Sequence, residues 1–336
     1  MANISIGVIG YGYWGPNIVR NFFNTPDCTV KAVADGRPER LAVLAKTFPG
    51  IQGIAAGDDI INDPSIDAVV IATPVFTHFA LAKKALLKGK HVLIEKPMTA
   101  SVAEAEELIE LAEQKGLILM ADHTFLYTGA VMKMKELIDS GAVGAPRYFD
   151  SSRINLGLFQ PDVNVLWDLA PHDISILTYL VTEMPVSINA TGISHTRNNI
   201  ENIAYMTVNY QSDFIAHFNC SWTSPVKVRQ TLIGGDKKMI VYNDLEPSEK
   251  VRVYDTGYDH KTDQDKTRIM VDYRTGDVYI PKLSTREALA GVAADFIGSI
   301  QEKRLPLANA HLGMQVVRIL EASQKSIKEN GKEVKI

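Results

Sequence analysis

A chain of 336 residues, 46% hydrophobic and 22% charged, is long enough for two domains with cores of their own, and its net charge of −4 excludes nucleic-acid binding through bulk basic charge. Its cations are scattered rather than gathered into a tail, so a phosphate would have to be held locally by backbone amides and a few side chains. Two cysteines, Cys28 and Cys220, are too few for a disulfide framework and lack metal-ligand spacing, which suits reduced thiols in the cytoplasm.

No basic segment precedes an apolar run at the start, so no signal peptide is expected, and the apolar runs fall far short of the roughly 20 residues that cross a bilayer. From there strand and helix patterns alternate. Residues 4–10 form an apolar run ending in glycine, and Ile18, Val19, Phe22 and Phe23 then recur at helical spacing. Residues 29–34 predict a strand, 38–48 a helix, and 68–73 a strand apolar enough to be buried on both faces. Residues 76–87 predict a helix stopped by Gly89, and 91–95 a strand. Ser101 and Glu104 make a capping box ahead of a helix ending at Lys115 and Gly116, and 117–121 predict a sixth strand. Repeated strand–helix–strand units give a parallel sheet covered on both faces, with the ligand at the carboxyl ends of the strands.

Past residue 145 the rhythm changes. Residues 147–153 predict a strand and 167–181 a helix. Segments 186–194, 204–210, 214–223, 229–233, 238–242 and 251–254 follow as strands, with turns at Gln211-Ser212-Asp213 and Gly234-Gly235-Asp236. Helices over 287–303 and 311–329 close the chain. The expected architecture is a doubly wound α/β Rossmann domain over 1–125 and an α+β domain over 126–336 with a large, mainly antiparallel sheet. The second domain would serve substrate binding and oligomerisation, and its last helix is a candidate to pack back on the first.

Gly10-Tyr11-Gly12-Tyr13-Trp14-Gly15 has the G-x-G-x-x-G spacing, directly after a predicted strand and opening a predicted helix. Gly10 permits the tight turn, Gly12 lets backbone approach a pyrophosphate, and Gly15 lets helix and strand pack closely. The helix amides then favour the phosphate charge, and Pro16 is tolerated in a first turn. Asp35, twenty residues after Gly15, is placed to bond the adenosine ribose and repel a 2′-phosphate, which favours NAD. Arg37 and Arg40 follow and would instead suit a 2′-phosphate, so NADP stays open. A glycine turn serving packing alone is the plain alternative.

Glu95-Lys96-Pro97 after the fifth strand, the glycine fingerprint, and Trp167-Asp168-Leu169-Ala170-Pro171-His172-Asp173 together resemble the Gfo/Idh/MocA oxidoreductase family over nearly the whole chain. The stretch Gly12-Tyr13-Trp14-Gly15-Pro16-Asn17 is similar to members placed in nucleotide-sugar and surface-polysaccharide pathways, including the group that oxidises C3 of UDP-N-acetylglucosamine. The resemblance implies that Lys96, at a strand's carboxyl end, hydrogen-bonds the reacting oxygen and stabilises developing negative charge. Considered alone, it would be a surface lysine before a proline turn. Glu95 and Lys96 are also expected to border the cofactor.

Asp168 and His172 stand four residues apart, on one face of a predicted helix. Oxidising a secondary alcohol also requires loss of the hydroxyl proton, a task suited to imidazole. The resemblance implies that His172 is the general base and that Asp168 orients the ring or binds a substrate hydroxyl. A helix-start carboxylate and a core histidine are the plain alternatives. Two such residues without a third make a poor zinc site, and the resemblance implies no metal.

Thr73, Pro74 and His78 are candidates for the nicotinamide side, or simply a turn and helix start. His123, Arg153, Asn155 and Trp167 are candidates for the substrate: Arg153 for a phosphate, Trp167 for stacking on a sugar, with a surface arginine and a core tryptophan as the alternatives. The expected activity is hydride exchange between a nicotinamide and a secondary hydroxyl of a sugar or nucleotide sugar. A cyclitol or free-sugar dehydrogenase, a keto-sugar reductase, or a non-catalytic cofactor-binding sensor or assembly subunit would share these features. A large sheet with one free face predicts a homodimer or homotetramer.

Overall fold

The computed structural model describes residues 3–197, 199–259 and 272–336, and they divide into two compact units. The first contains the residues up to Thr128 together with Arg286–Arg318. Its sheet has six parallel strands: β1 (Ile4–Ile9), β2 (Cys28–Ala34), β3 (Gln52–Ile54), β4 (Ala68–Ile71), β5 (His91–Glu95) and β6 (Leu119–Asp122). Their order is β3-β2-β1-β4-β5-β6, the doubly wound arrangement with its reversal between β1 and β4. β1 and β4 are buried along their whole length, as their continuous apolar sequences require.

The connecting helices are α1 (Gly15–Phe23), α2 (Pro38–Thr47), α3 (Gly57–Asn62), α4 (His78–Leu87) and α5 (Val102–Lys115). α1 buries Ile18, Val19 and Phe22 of the apolar stripe that its spacing predicts, while Phe23 is exposed. At the start of α5, Ser101 accepts from the Glu104 amide, a cap worth about 1 kcal/mol. The Glu104 carboxylate reaches back to the Ala100 amide rather than to that of Ser101, one residue off the reciprocal box. Gly116 ends the helix in the left-handed conformation, at φ 65°.

The second unit contains Gly129–Thr285 and Ile319–Ile336. Helix α6 (Gly129–Asp139) precedes β7 (Pro146–Leu156), and α7 (Val165–Leu180) follows it. Then come β8 (Pro185–Ile193), β9 (Ile203–Tyr210), β10 (Ile215–Ser221), β11 (Thr223–Gly235), β12 (Met239–Asn243) and β13 (Val251–Tyr254). β14 (Gly257–Asp259) pairs with β15 (Asp272–Arg274) in a ribbon of its own. With the short edge strands β16 (Val278–Tyr279) and β17 (Val334–Lys335), the main sheet has nine strands in the order β16-β13-β12-β11-β7-β10-β9-β8-β17. It is antiparallel except for the central pair β7 and β10, which run parallel because α7 and the β8–β9 hairpin intervene between them.

The chain closes with α8 (Ala288–Glu302) and α9 (Ala310–Lys328), and the boundary between the units falls within α9. α8 belongs to the first unit because its apolar face meets that core. Phe296 packs edge-to-face on Phe22 at 6.2 Å, and Asp295 accepts the Tyr127 hydroxyl at 2.7 Å. The pattern at 287–303 predicts α8 as a helix but carries no sign of which core it would cover. β3, α3, α6 and β14 to β17 were not among the predicted elements; most are too short to display a period.

Candidate active site

In the loop between β1 and α1, Gly10 has φ +102°, and a Cβ there would lie 2.3 Å from the Ala72 carbonyl oxygen. A Cβ on Gly15 would stand 2.6 Å from the Gly10 carbonyl oxygen, so helix and loop touch only because that atom is missing. Gly12 is different: its nearest neighbour would be an Arg37 guanidinium nitrogen at 3.6 Å, which leaves space above the backbone. α1 starts at Gly15 with no side-chain cap, so its amide dipoles face that space. Tyr13 and Trp14 flank it as largely exposed rings in edge-to-face contact at 5.7 Å. These features fit a dinucleotide pyrophosphate.

Asp35, just past β2, is buried, and its carboxylate accepts from the Tyr11 amide at 2.8 Å and the Arg37 amide at 3.0 Å. The Arg37 guanidinium lies across the same carboxylate, with contacts of 2.9 and 2.8 Å. This fork, more than any other contact, holds the Asp35 carboxyl down at about 2. An unfolded aspartate titrates near ~3.9. The contribution to stability is therefore complete above about pH 4 and is lost as pH falls towards about 2. Because Arg37 is half exposed, it amounts to about 1 kcal/mol. Arg37 rests on Asp35 rather than standing ready for a 2′-phosphate, which favours NAD. Asp35→Asn should weaken NADH binding about tenfold and narrow its advantage over NADPH. Fluorescence titration with both cofactors checks this, and an unchanged ratio of affinities would discard the assignment.

After β4, the Thr73 and Thr77 hydroxyls meet at 2.6 Å and Pro74 is exposed. His78 is buried, with one ring nitrogen 2.7 Å from the Thr73 carbonyl oxygen and the other 3.0 Å from that of Pro97. It ties the loop after β4 to the loop after β5, and burial lowers its pKa. The Lys96-Pro97 peptide is cis.

Glu95 and Asp122 are register partners at the ends of β5 and β6. Asp122 is buried and accepts the Thr124 hydroxyl at 2.6 Å. Burial pushes both carboxyls upward, the Asp122 charge raises Glu95 further, and Lys96 pulls both back. His123 lies one residue beyond β6 rather than on it, only 1% exposed, and neither ring nitrogen has a hydrogen-bond partner. Burial, then the Lys96 charge, drives its imidazole down to about 3, so it is neutral at physiological pH. Glu95, Lys96, Asp122 and His123 thus form one cluster at the strand ends, where a doubly wound sheet presents its ligand. Sequence reasoning passed over Asp122; its place opposite Glu95 follows from parallel register alone.

In the second unit, α7 starts at an Asn164 cap and carries Asp168 and His172 one turn apart, both half-buried. The Asp168 carboxylate accepts the Trp222 indole N–H at 2.9 Å. Trp167 is buried with its indole nitrogen unpartnered, so it is core rather than an exposed stacking platform. Arg153 departs from both expectations. It is 2% exposed and doubly bonded to Asp173 at 2.8 and 2.7 Å, a paired internal cation and not a surface arginine presented to a phosphate. Its strand faces α7, whose Asp173 meets it. Asn155, two residues on along β7 and hence on the same face, is half-buried. Neither Asp173 nor Trp222 was a candidate, because their partners lie 20 and 54 residues away and no local spacing signals them. Among the described residues no group of three or more His, Cys, Asp or Glu side chains is placed to hold a metal ion, and no helix is long and apolar enough to cross a membrane.

The first unit is therefore a dinucleotide-binding Rossmann domain of the oxidoreductase class. Residues 4–123 match the oxidoreductase family with an NAD-binding Rossmann fold, and residues 131–241 match the GFO/IDH/MocA C-terminal domain. The chain belongs to the Gfo/Idh/MocA oxidoreductase family. It is 32% identical over 218 residues to UDP-N-acetylglucosamine 3-dehydrogenase of Acidithiobacillus ferrooxidans, covering 62% of this chain and 64% of that one. It is 25% identical over 346 residues to scyllo-inositol 2-dehydrogenase (NADP(+)) IolW of Bacillus subtilis, covering 97% and 94%. The solved structure of the Acidithiobacillus ferrooxidans enzyme, GnnA, superposes with a TM-score of 0.80 at 25% identity, covering 98% of this chain and 99% of that chain.

Proposed function

We propose that this protein is an NAD-dependent dehydrogenase of a nucleotide sugar, oxidising a secondary hydroxyl such as C3 of UDP-N-acetylglucosamine. The observation that carries the reading is Lys96, set at the carboxyl end of β5 beside two carboxyls with raised pKa values in an NAD-binding domain. Bound NAD supplies the hydride acceptor. Lys96 donates a hydrogen bond to the reacting oxygen and stabilises the negative charge that grows there. His172 accepts the hydroxyl proton, and Asp168 orients its ring. His123, neutral and with two unpartnered nitrogens, offers a hydrogen bond to a substrate hydroxyl, and Asn155 offers its amide. The nucleotide-sugar class draws support from the Acidithiobacillus ferrooxidans relative, and the inositol dehydrogenase relative keeps a cyclitol as the rival substrate.

The test is turnover by the purified chain with NAD and, separately, UDP-N-acetylglucosamine, free hexoses and inositols, followed by NADH absorbance. Turnover of the nucleotide sugar supports the reading. Turnover of inositol alone replaces it, and NADH binding without turnover of any of them favours a sensor or assembly subunit.

We also infer a homodimer or homotetramer formed through the sheet face opposite α7. There Tyr148 and Ile215 are cross-strand partners, Tyr205 of β9 stacks on His217 of β10 at 6.4 Å, and Tyr148, Ile215 and Tyr205 are exposed. Light scattering at micromolar concentration should give at least twice the chain mass, and a monomer would refute it.

A further inference from the structure

We propose that Trp222 is a positioning residue for this reaction: its indole N–H holds the Asp168 carboxylate in the orientation from which it aligns His172. The proposal rests on the roles just given to Asp168 and His172.

Trp222 is the single residue between β10 and β11 and is 1% exposed. Its backbone is pinned on both sides: its amide donates to the Asn202 carbonyl at 2.9 Å, and its carbonyl accepts the Gly157 amide at 2.9 Å. The ring is pinned as well. A Cβ on Gly157 would come within 2.7 Å of Cδ1 of the indole, so glycine is what lets the ring seat there. Phe159 packs on it at 5.6 Å between centroids. A ring held this way points its one polar atom in one direction, and that atom meets Oδ2 of Asp168 at 2.9 Å.

The chemistry of the donor matters. An indole N–H donates and never accepts, so it favours the ionised carboxylate over the acid form. A hydrogen bond to a charged acceptor is also the stronger kind. Asp168 stands one helical turn before His172, the spacing at which two side chains are neighbours on a helix surface. The adjacent Trp167 is an internal contrast: it too is buried, yet its indole nitrogen has no partner. Burial of a tryptophan on this wall therefore does not by itself produce the contact. The strand junction that places Trp222 does.

The experiment compares wild type, Trp222→Phe and Phe159→Leu. Trp222→Phe removes the donor while keeping an aromatic ring, and Phe159→Leu loosens the packing while keeping the donor. For Trp222→Phe, kcat should fall about tenfold with KM within about threefold, and the His172 imidazole titration followed by NMR should move by about half a unit. Phe159→Leu should lower the melting temperature without moving the His172 titration. A folded Trp222→Phe protein with an unmoved His172 titration and unchanged kcat overturns the proposal. If Trp222→Phe does not fold, the wild type still decides. Its Trp222 indole N–H resonance, assigned among only three tryptophans, should shift with pH in step with His172, and an invariant resonance rejects the coupling. The NMR readouts need no substrate. Wild type inactive on every sugar but with the two residues coupled would remove the proposed function and leave the positioning intact.

Discussion

Replacing His172 with alanine is expected to lower kcat by about 10²–10⁴-fold while NADH binding stays unchanged. The reason is electrostatic bookkeeping on the substrate. Hydride leaves the carbinol carbon with its electron pair, so the hydroxyl proton must leave too, or a protonated ketone results. On the proposed reading, the half-buried imidazole of His172 on α7 takes that proton. Lys96→Ala should lose about 10²–10³-fold, since an ammonium hydrogen-bonded to the developing alkoxide contributes mainly in the transition state. Single-turnover NADH formation with the preferred sugar, alongside NADH titration, separates chemistry from binding. A His172→Ala variant that keeps wild-type kcat would dismiss the imidazole as base.

Breaking the buried ion pair under α7 is expected to have the largest effect on stability. Arg153→Met leaves the Asp173 carboxylate buried with its forked partner gone, and should cost about 3–5 kcal/mol. For a unit of this size that is a fall of roughly 8–15 °C in melting temperature. Asp173→Leu should be similarly harmful, because it strands the guanidinium. The double variant Arg153→Met with Asp173→Leu should recover most of the loss, since a well-packed apolar pair carries no desolvation penalty. Asp173 directly follows His172, so each single change should also raise the sugar KM or lower kcat while leaving NADH affinity alone. Calorimetry of the three variants provides the check. Single variants as stable as wild type would show that the pair contributes nothing net.

Much of the first unit is legible in the sequence because its signals are local. The loop glycines, Asp35 at the end of β2, the all-apolar β4 and the capping Ser101 each reflect a backbone or burial requirement met within a few residues. The cluster at the strand ends is only half legible. Lys96 stands in a motif, but Asp122 reaches Glu95 through the pairing of β5 and β6, 27 residues apart in the chain. In the second unit the Asp168 and His172 spacing is visible, while a lone arginine on a strand carries no mark of the aspartate on the next helix that pairs with Arg153.

The sequence by itself determined the doubly wound domain, its dinucleotide loop, the mainly antiparallel second sheet and the helix that carries Asp168 and His172. It could do so because period, glycine placement and capping act over one or two turns of chain. Only the tertiary structure decided that β7 and β10 run parallel, that α8 covers the first core, that Arg153 is neutralised by Asp173, and that Trp222 holds Asp168. Those outcomes depend on which distant surfaces meet, and the free energy of such meetings lies in burial and pairing that no short stretch of sequence contains.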